Sequence, residues 1–202
     1  YKRQGFANGM QAVVYDRQGA HYCGRLWWML KWLGHEAVAV LDGGFPAWQA
    51  AGGAVQTQAP AGQAAASFQL KEPAARLVTV AEVQQQLGKD QHIIDARALP
   101  RFKGEVEPLD PVAGHIPGAL NRPFTNNLGA DGKFKPAAQL REEFQALLGQ
   151  RDAQAVVHHC GSGVTAVPNV LAMEIAGLGR AALFAGSWSE WCADPGRPVA
   201  QG

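Results

Sequence analysis

Cysteine is scarce in this chain: Cys23, Cys160 and Cys192 are the three in 202 residues. So few, so scattered, they exclude a disulfide framework and offer no zinc-ligand spacing. His158-His159-Cys160 has suitable atoms for a metal, but neighbours on a strand face opposite ways, and no second Cys/His cluster completes a site. No metal or cofactor is expected. Charge is also sparse, at 17% of residues with a formal net of +1, which leaves no field for nucleic acid or an acidic membrane surface. No apolar run reaches membrane length, and the start at Tyr1 shows no signal-peptide pattern. A cytoplasmic protein is expected, with neither nucleic acid nor membrane as partner. The apolar content, 47%, is enough for one or two compact α/β domains with a real core.

Against that background one stretch stands out, His159-Cys160-Gly161-Ser162-Gly163-Val164-Thr165. The short apolar run 155–158 before it reads as a buried strand. Val167 to Ile175 after it reads as a helix, with Pro168 tolerated in the first turn. A cysteine thus stands where a strand ends and a helix begins, in a loop with two glycines. Such a loop can turn its backbone N–H groups inward, and the helix N-terminus adds partial positive charge. That setting favours thiolate over thiol, so Cys160 is expected to be a nucleophile. Cysteine phosphatases share the His-Cys strand end but place an arginine six residues on to clamp phosphoryl oxygens. Here that residue is Ala166, and Gly161 to Thr165 contains no cation. A phosphatase-like or arsenate-reductase-like enzyme is the weaker alternative.

Cys160-Gly-Ser-Gly-Val-Thr165 resembles the active-site loop of the rhodanese superfamily, in the form carried by 3-mercaptopyruvate sulfurtransferases. Asp95-Ala96-Arg97 followed by Gly114-His115-Ile116-Pro117-Gly118-Ala119 resembles the family's first signature. Gly186-Ser187-Trp188-Ser189-Glu190-Trp191 resembles its C-terminal one. An internal repeat points the same way. A gapless slide of 143 sets Val13–Asp16 on Val156–His159. It also pairs Gly34 with Gly177, Ala39 with Ala182, Gly43 with Gly186, Trp48 with Trp191 and Gly53 with Gly196, as duplication would. That offset places Arg17 opposite Cys160 and Cys23 opposite Ala166, so the first copy lacks the nucleophile.

The resemblance implies tandem rhodanese-like modules of α/β class, each an open, mostly parallel sheet flanked by helices, with an inactive first module and a catalytic second. Only sixteen residues precede Arg17, whereas about eighty of the second copy precede Cys160, so the first module is expected to be incomplete. Residues 1–53 are assigned to the C-terminal part of that first module, 54–76 to a linker and 77–202 to the catalytic module. In the first, a strand is expected at 13–16, a helix at 22–33, a strand at 37–41 and a short helix near Pro46-Ala47-Trp48. Trp27, Trp28 and Trp32 read as core and domain interface. The linker, rich in Ala, Gly, Gln and Pro, holds at most a short strand at Ser67–Leu70. Thr79 and Glu82 form a capping box that starts a helix at 80–87. A strand follows at 91–95 and an amphipathic helix at 136–148, ended by Gly149. Alternating strands and helices argue a parallel sheet with the active loop beyond a strand's carboxyl end.

By resemblance, the Cys160 thiolate attacks the sulfane sulfur of a small anionic donor, 3-mercaptopyruvate or thiosulfate. The resulting persulfide passes its outer sulfur to cyanide, a thiol or a thioredoxin-like dithiol. Amides of Gly161, Ser162, Gly163, Val164 and Thr165 stabilise the charge. Arg101 matches the arginine that binds the donor's carboxylate or sulfonate. The second arginine that mercaptopyruvate enzymes supply in a Glu-Pro-Arg context is absent, because this chain reads Glu107-Pro108-Leu109-Asp110. Ser162 is assigned either to proton handling or donor orientation, or to satisfying loop backbone, and Thr165 to capping the following helix. Arg97 reads as a structural ion pair or cap and His115 as a packed turn residue. One of His158 and His159 is expected to lean toward the core or the pocket. The remaining alternative is a non-catalytic or sulfur-carrier rhodanese module that docks on a partner.

Overall fold

The computed structural model describes residues 5–58 and 66–202, which fall into two compact units, Tyr1–Ala75 and Arg76–Gly202. Part of the opening stretch 1–11 and part of the linker assigned to 54–76 therefore lie outside the described residues.

The first unit contains β1 (Ala12–Val14), α1 (Cys23–Trp32), β2 (Val38–Val40) and α2 (Gly44–Ala50). β1 and β2 pair in parallel. Both strands are shorter than their apolar patterns suggested. Trp27 and Trp28 are buried, whereas Trp32 is 38% exposed and stacks on Trp28 at 6.0 Å. The strand expected at Ser67–Leu70 does not form. Gln69 instead exchanges two 2.7 Å hydrogen bonds with the Asn8 side-chain amide, which serves its backbone as a strand partner would. Phe68, on the same segment, packs against Phe6 and His35.

The second unit holds one five-stranded sheet of β3 (Leu77–Val78), β4 (His92–Asp95), β5 (Leu120–Asn121), β6 (Val156–His159) and β7 (Ala182–Phe184). Its order is β3-β7-β6-β4-β5, and every pairing is parallel. The helices are α3 (Val80–Gln85), α4 (Leu99–Lys103), α5 (Ala137–Leu148), α6 (Val167–Ile175) and α7 (Ser187–Cys192). α3 starts at the expected capping box. The Thr79 hydroxyl accepts the Glu82 N–H, and the Glu82 carboxylate accepts the Thr79 N–H at 2.7 Å.

Strand alternation divides the core between the two sheet faces. Ile93 and Val157 pack with Phe102, Ile116, Phe184 and Trp188 on one side. Ile94 and Val156 pack with Leu140, Phe144 and Met173 on the other. Both faces are covered, so β4 and β6 place an apolar residue on each side, Ile93 and Ile94 in one and Val156 and Val157 in the other. His158 and His159 follow the same alternation. Both are fully buried, one on each face, so the expectation that only one of them would lean inward is corrected.

Candidate active site

β6 is a central strand, and Cys160 is the first residue beyond its carboxyl end, only 1% exposed. Its backbone is held from α7, a helix distant in sequence. The Trp188 N–H donates to the Cys160 carbonyl at 2.9 Å, and the Ser189 N–H to the Gly161 carbonyl at 2.9 Å. The Cys160 N–H donates to the Ser187 hydroxyl at 3.1 Å, which in turn donates to the Phe184 carbonyl at 3.0 Å. Ser187 is fully buried with φ +55, a left-handed conformation costly for a residue with a Cβ. Its strain is maintained where it fixes the backbone under the thiol. Gly163 has φ +72, and a Cβ there would lie 2.1 Å from the Ala185 carbonyl oxygen, so only glycine fits.

The loop amides of Gly161, Ser162, Val164, Thr165 and Ala166 donate to no protein acceptor among the described residues. Nor do the Ser162 and Thr165 hydroxyls have a partner there. Thr165 does not cap α6: the N-cap is Ala166, without a side-chain hydrogen bond, because the loop stays coiled for one more residue.

In the first copy the equivalent amides hold a carboxylate. Ala182 and Leu183 stand 143 residues after Ala39 and Val40, but their strand partners Val157 and His158 stand 144 after Val13 and Val14. The Phe45 N–H donates to the Asp16 carbonyl as the Trp188 N–H does to that of Cys160. Asp16, not Arg17, therefore occupies the Cys160 position. The gapless slide missed this because α1 has ten residues and α6 nine, which absorbs the extra residue. The Asp16 carboxylate accepts N–H bonds at 2.9–3.0 Å from Gln18, Ala20, Tyr22 and Cys23. Burial works against its charge, but these four amides outweigh burial and lower its pKa below the usual 3.8. The loop after β1 is an anion cradle filled by its own first residue.

Beneath Cys160 lies a buried polar network on the face opposite His158. Arg97 binds Asp95 through Nε and Nη2, the latter at 2.6 Å, and reaches Glu107 at 3.2 Å and the Gly114 carbonyl at 2.7 Å. Its guanidinium lies 4.7 Å from the Trp188 ring centroid. Arg97 is thus the structural ion pair expected. His115 is likewise a packed turn residue, stacked on Phe102 at 3.8 Å. His159 Nδ1–H donates to the Cys160 carbonyl at 3.1 Å, and its Nε2 lies 3.6 Å from Asp95 without a hydrogen bond. Burial, only partly opposed by Asp95, lowers the His159 pKa. Burial, reinforced by the neighbouring His159 and Arg122, pushes His158 down to about 3.

Arg101 on α4 is brought to the loop. A Cβ on Gly161 would lie 3.6 Å from both of its terminal nitrogens. Its Nε and Nη2 edge is taken by Glu107, at 3.2 and 2.6 Å, and Nη2 also meets Asp110 at 3.3 Å. The Ser189 hydroxyl donates to Asp110 at 2.6 Å. Residue types alone did not mark Ser187, Ser189, Glu107 or Asp110. For Ser187 a signal existed: Gly44 stands at its repeat position with φ +59.

The sequence model of the rhodanese-like domain matches residues 2–51 and 79–194. The chain belongs to the rhodanese family. Among its rhodanese relatives, a Pseudomonas aeruginosa protein named "Probable 3-mercaptopyruvate sulfurtransferase" is 49% identical over 98% of this chain and 70% of its own length. The thiosulfate sulfurtransferase of Rattus norvegicus is 37% identical over 98% of this chain and 69% of its own. A solved 3-mercaptopyruvate sulfurtransferase from Leishmania major has a TM-score of 0.81 and 34% identity, covering 95% of this chain. This chain spans about half of that solved one, 54%.

Proposed function

We propose that this chain is a sulfurtransferase that carries sulfane sulfur on Cys160. The carrying observation is the pair of matched loops. Where the first holds a carboxylate on four backbone amides, the second presents a cysteine and amides without protein partners. In a cysteine persulfide the outer sulfur stands two bonds from Cβ, as the carboxylate oxygens of Asp16 do. Amides two, four and six residues on, those of Ser162, Val164 and Ala166, correspond to Gln18, Ala20 and Tyr22. They support a charged outer sulfur there.

The chemistry balances in two steps. The Cys160 thiolate attacks the sulfane sulfur of thiosulfate, the S–S bond breaks, and sulfite leaves with the electron pair. With 3-mercaptopyruvate it is the C–S bond that breaks, and pyruvate leaves as its enolate to be protonated. An acceptor thiolate or cyanide then attacks the outer sulfur, and Cys160 departs as thiolate. Arg101 receives the donor's anionic end beside Gly161, and Ser162, exposed at the loop, assists proton transfer or donor orientation. Cys23, Cys160 and Cys192 are all free, which supports a reducing, cytoplasmic setting with a thiol or thioredoxin-like dithiol as acceptor. Among the described residues no helix is long and apolar enough to cross a membrane.

Incubation with each donor followed by intact-mass and peptide mapping tests the reading. One added sulfur on the Cys160 peptide, removable by cyanide, is expected. A Cys160 that remains alkylatable but gains no sulfur from either donor overturns it.

A further inference from the structure

We propose that Asp110 is a specificity-determining residue, whose carboxylate at the mouth of the loop disfavours doubly charged sulfur donors relative to singly charged ones. The inference rests on the reading of Cys160 as the sulfur acceptor, with Arg101 as the cation offered to the donor.

Three observations support it. First, Arg101 is not a free cation. Glu107, itself only 3% exposed, takes its Nε and Nη2 edge, and Asp110 adds a second carboxylate at Nη2. Only Nη1 has no protein partner among the described residues, so an incoming anion meets one nitrogen instead of a bidentate fork. Second, the cluster is overfilled with negative charge: Arg97 and Arg101 face Asp95, Glu107 and Asp110, two cations against three carboxylates. Glu107 and Asp95 both bind Arg97, at 3.2 and 2.6 Å. Asp110 binds Arg101 alone and is therefore the carboxylate that the fold does not require for Arg97. Third, Asp110 is fixed beside the nucleophile's loop. Ser189 donates its hydroxyl to Asp110 at 2.6 Å and its N–H to the Gly161 carbonyl at 2.9 Å. A carboxylate so close to the entering anion acts at short range in a half-buried site, where salt screens it poorly.

The sign follows from charge. Thiosulfate carries two negative charges and the carboxylate of 3-mercaptopyruvate one, so repulsion from Asp110 costs the dianion about twice the energy. Asp110→Asn keeps size and hydrogen-bonding capacity while removing the charge. The expected result at low ionic strength is a KM for thiosulfate lower by about tenfold and for 3-mercaptopyruvate by about threefold. Asp110→Glu should retain the wild-type ratio, and Ser189→Ala, which leaves the charge in place, should move the ratio by less than about twofold. Equal factors for both donors in Asp110→Asn, or none, would overturn the proposal.

A readout without turnover separates this idea from the one beneath it. Protection of Cys160 against iodoacetamide by sulfate and by formate reports anion binding directly. If wild type loads no sulfur, yet Asp110→Asn strengthens protection by sulfate more than by formate, sulfur transfer falls and the charge filter stands. If sulfur loads normally while neither the KM ratio nor the protection moves, the filter falls and sulfur transfer stands.

Discussion

The loops after β1 and β6 share a strand register, a glycine three residues past their first residue with φ +66 in Gly19 and +72 in Gly163, and a following helix. They differ at their first residue. Asp16 places an anion permanently on its amides, so that loop is satisfied within the protein. Cys160 brings no carboxylate to its loop, and in the proposed reaction the loop amides without protein partners receive the charged outer sulfur of a persulfide. The same backbone therefore serves as a stabilising turn in one place and, in the proposed function, as a reactive cradle in the other. The comparison also shows a cost in stability, because the Cys160 loop leaves donors unpartnered among the described residues where the Asp16 loop bonds them.

The sharpest way to break the distinction is Cys160→Asp, which gives the second loop the residue of the first. It should abolish sulfur loading in the mass assay while the melting temperature holds or rises, because the carboxylate finds waiting amides. A fall of many degrees would show that the loops are not equivalent. Next is Gly163→Ala, which forces a Cβ against the Ala185 carbonyl. A displacement near 1 Å at the nucleophile's loop should slow sulfur loading about 100-fold in single-turnover kinetics.

Asp16→Ala tests the filled loop. Four N–H donors lose their acceptor, and urea denaturation should report a loss of about 2 kcal/mol at neutral pH. The pH dependence has a definite sign. The folded-state pKa of Asp16 is lowered, so its contribution is complete above the usual 3.8 and disappears as pH falls through the lower folded value. Wild type and variant should therefore converge in strong acid, and curves that stay parallel would refute the role. The smallest effect at neutrality belongs to His158→Leu. Because burial holds His158 at about 3, the unfolded chain takes up a proton below 6.5 that the folded one refuses, and wild type loses stability from 6.5 downward. The variant should match wild type within about 1 kcal/mol at pH 8 and exceed it by about 2 kcal/mol at pH 5.

Much of this was legible from residues alone. The position of Cys160 between β6 and α6, the Gly163 turn and the Thr79 capping box were each written in a few adjacent residues, since local backbone preferences act over one or two turns. Arg101 was singled out by its context, and the fold sets it beside Gly161. The failures share a different cause. Ser67–Leu70 has a strand-like composition, but its hydrogen-bond partner is the side chain of Asn8, 61 residues from Gln69. The cap assigned to Thr165 failed because helix onset was set by how the loop folds, one residue later. Arg17 was placed opposite Cys160 because counting along a chain cannot see a residue absorbed inside a helix.

The sequence by itself determined the α/β order of elements, the repeat, and a cysteine between strand and helix, because periodicity and turn chemistry are short-range properties. Tertiary structure alone decided the rest of the site. It set Asp16 in the place of Cys160 through strand register. It set Ser187, 27 residues away, under the Cys160 N–H, and drew Ser189 onto Asp110 across 79 residues. It also turned Arg101 from a free cation into a guanidinium shared by two carboxylates. Those pairings depend on how β7 and α7 pack beside β6, and no local pattern carries the energy of contacts so distant along the chain.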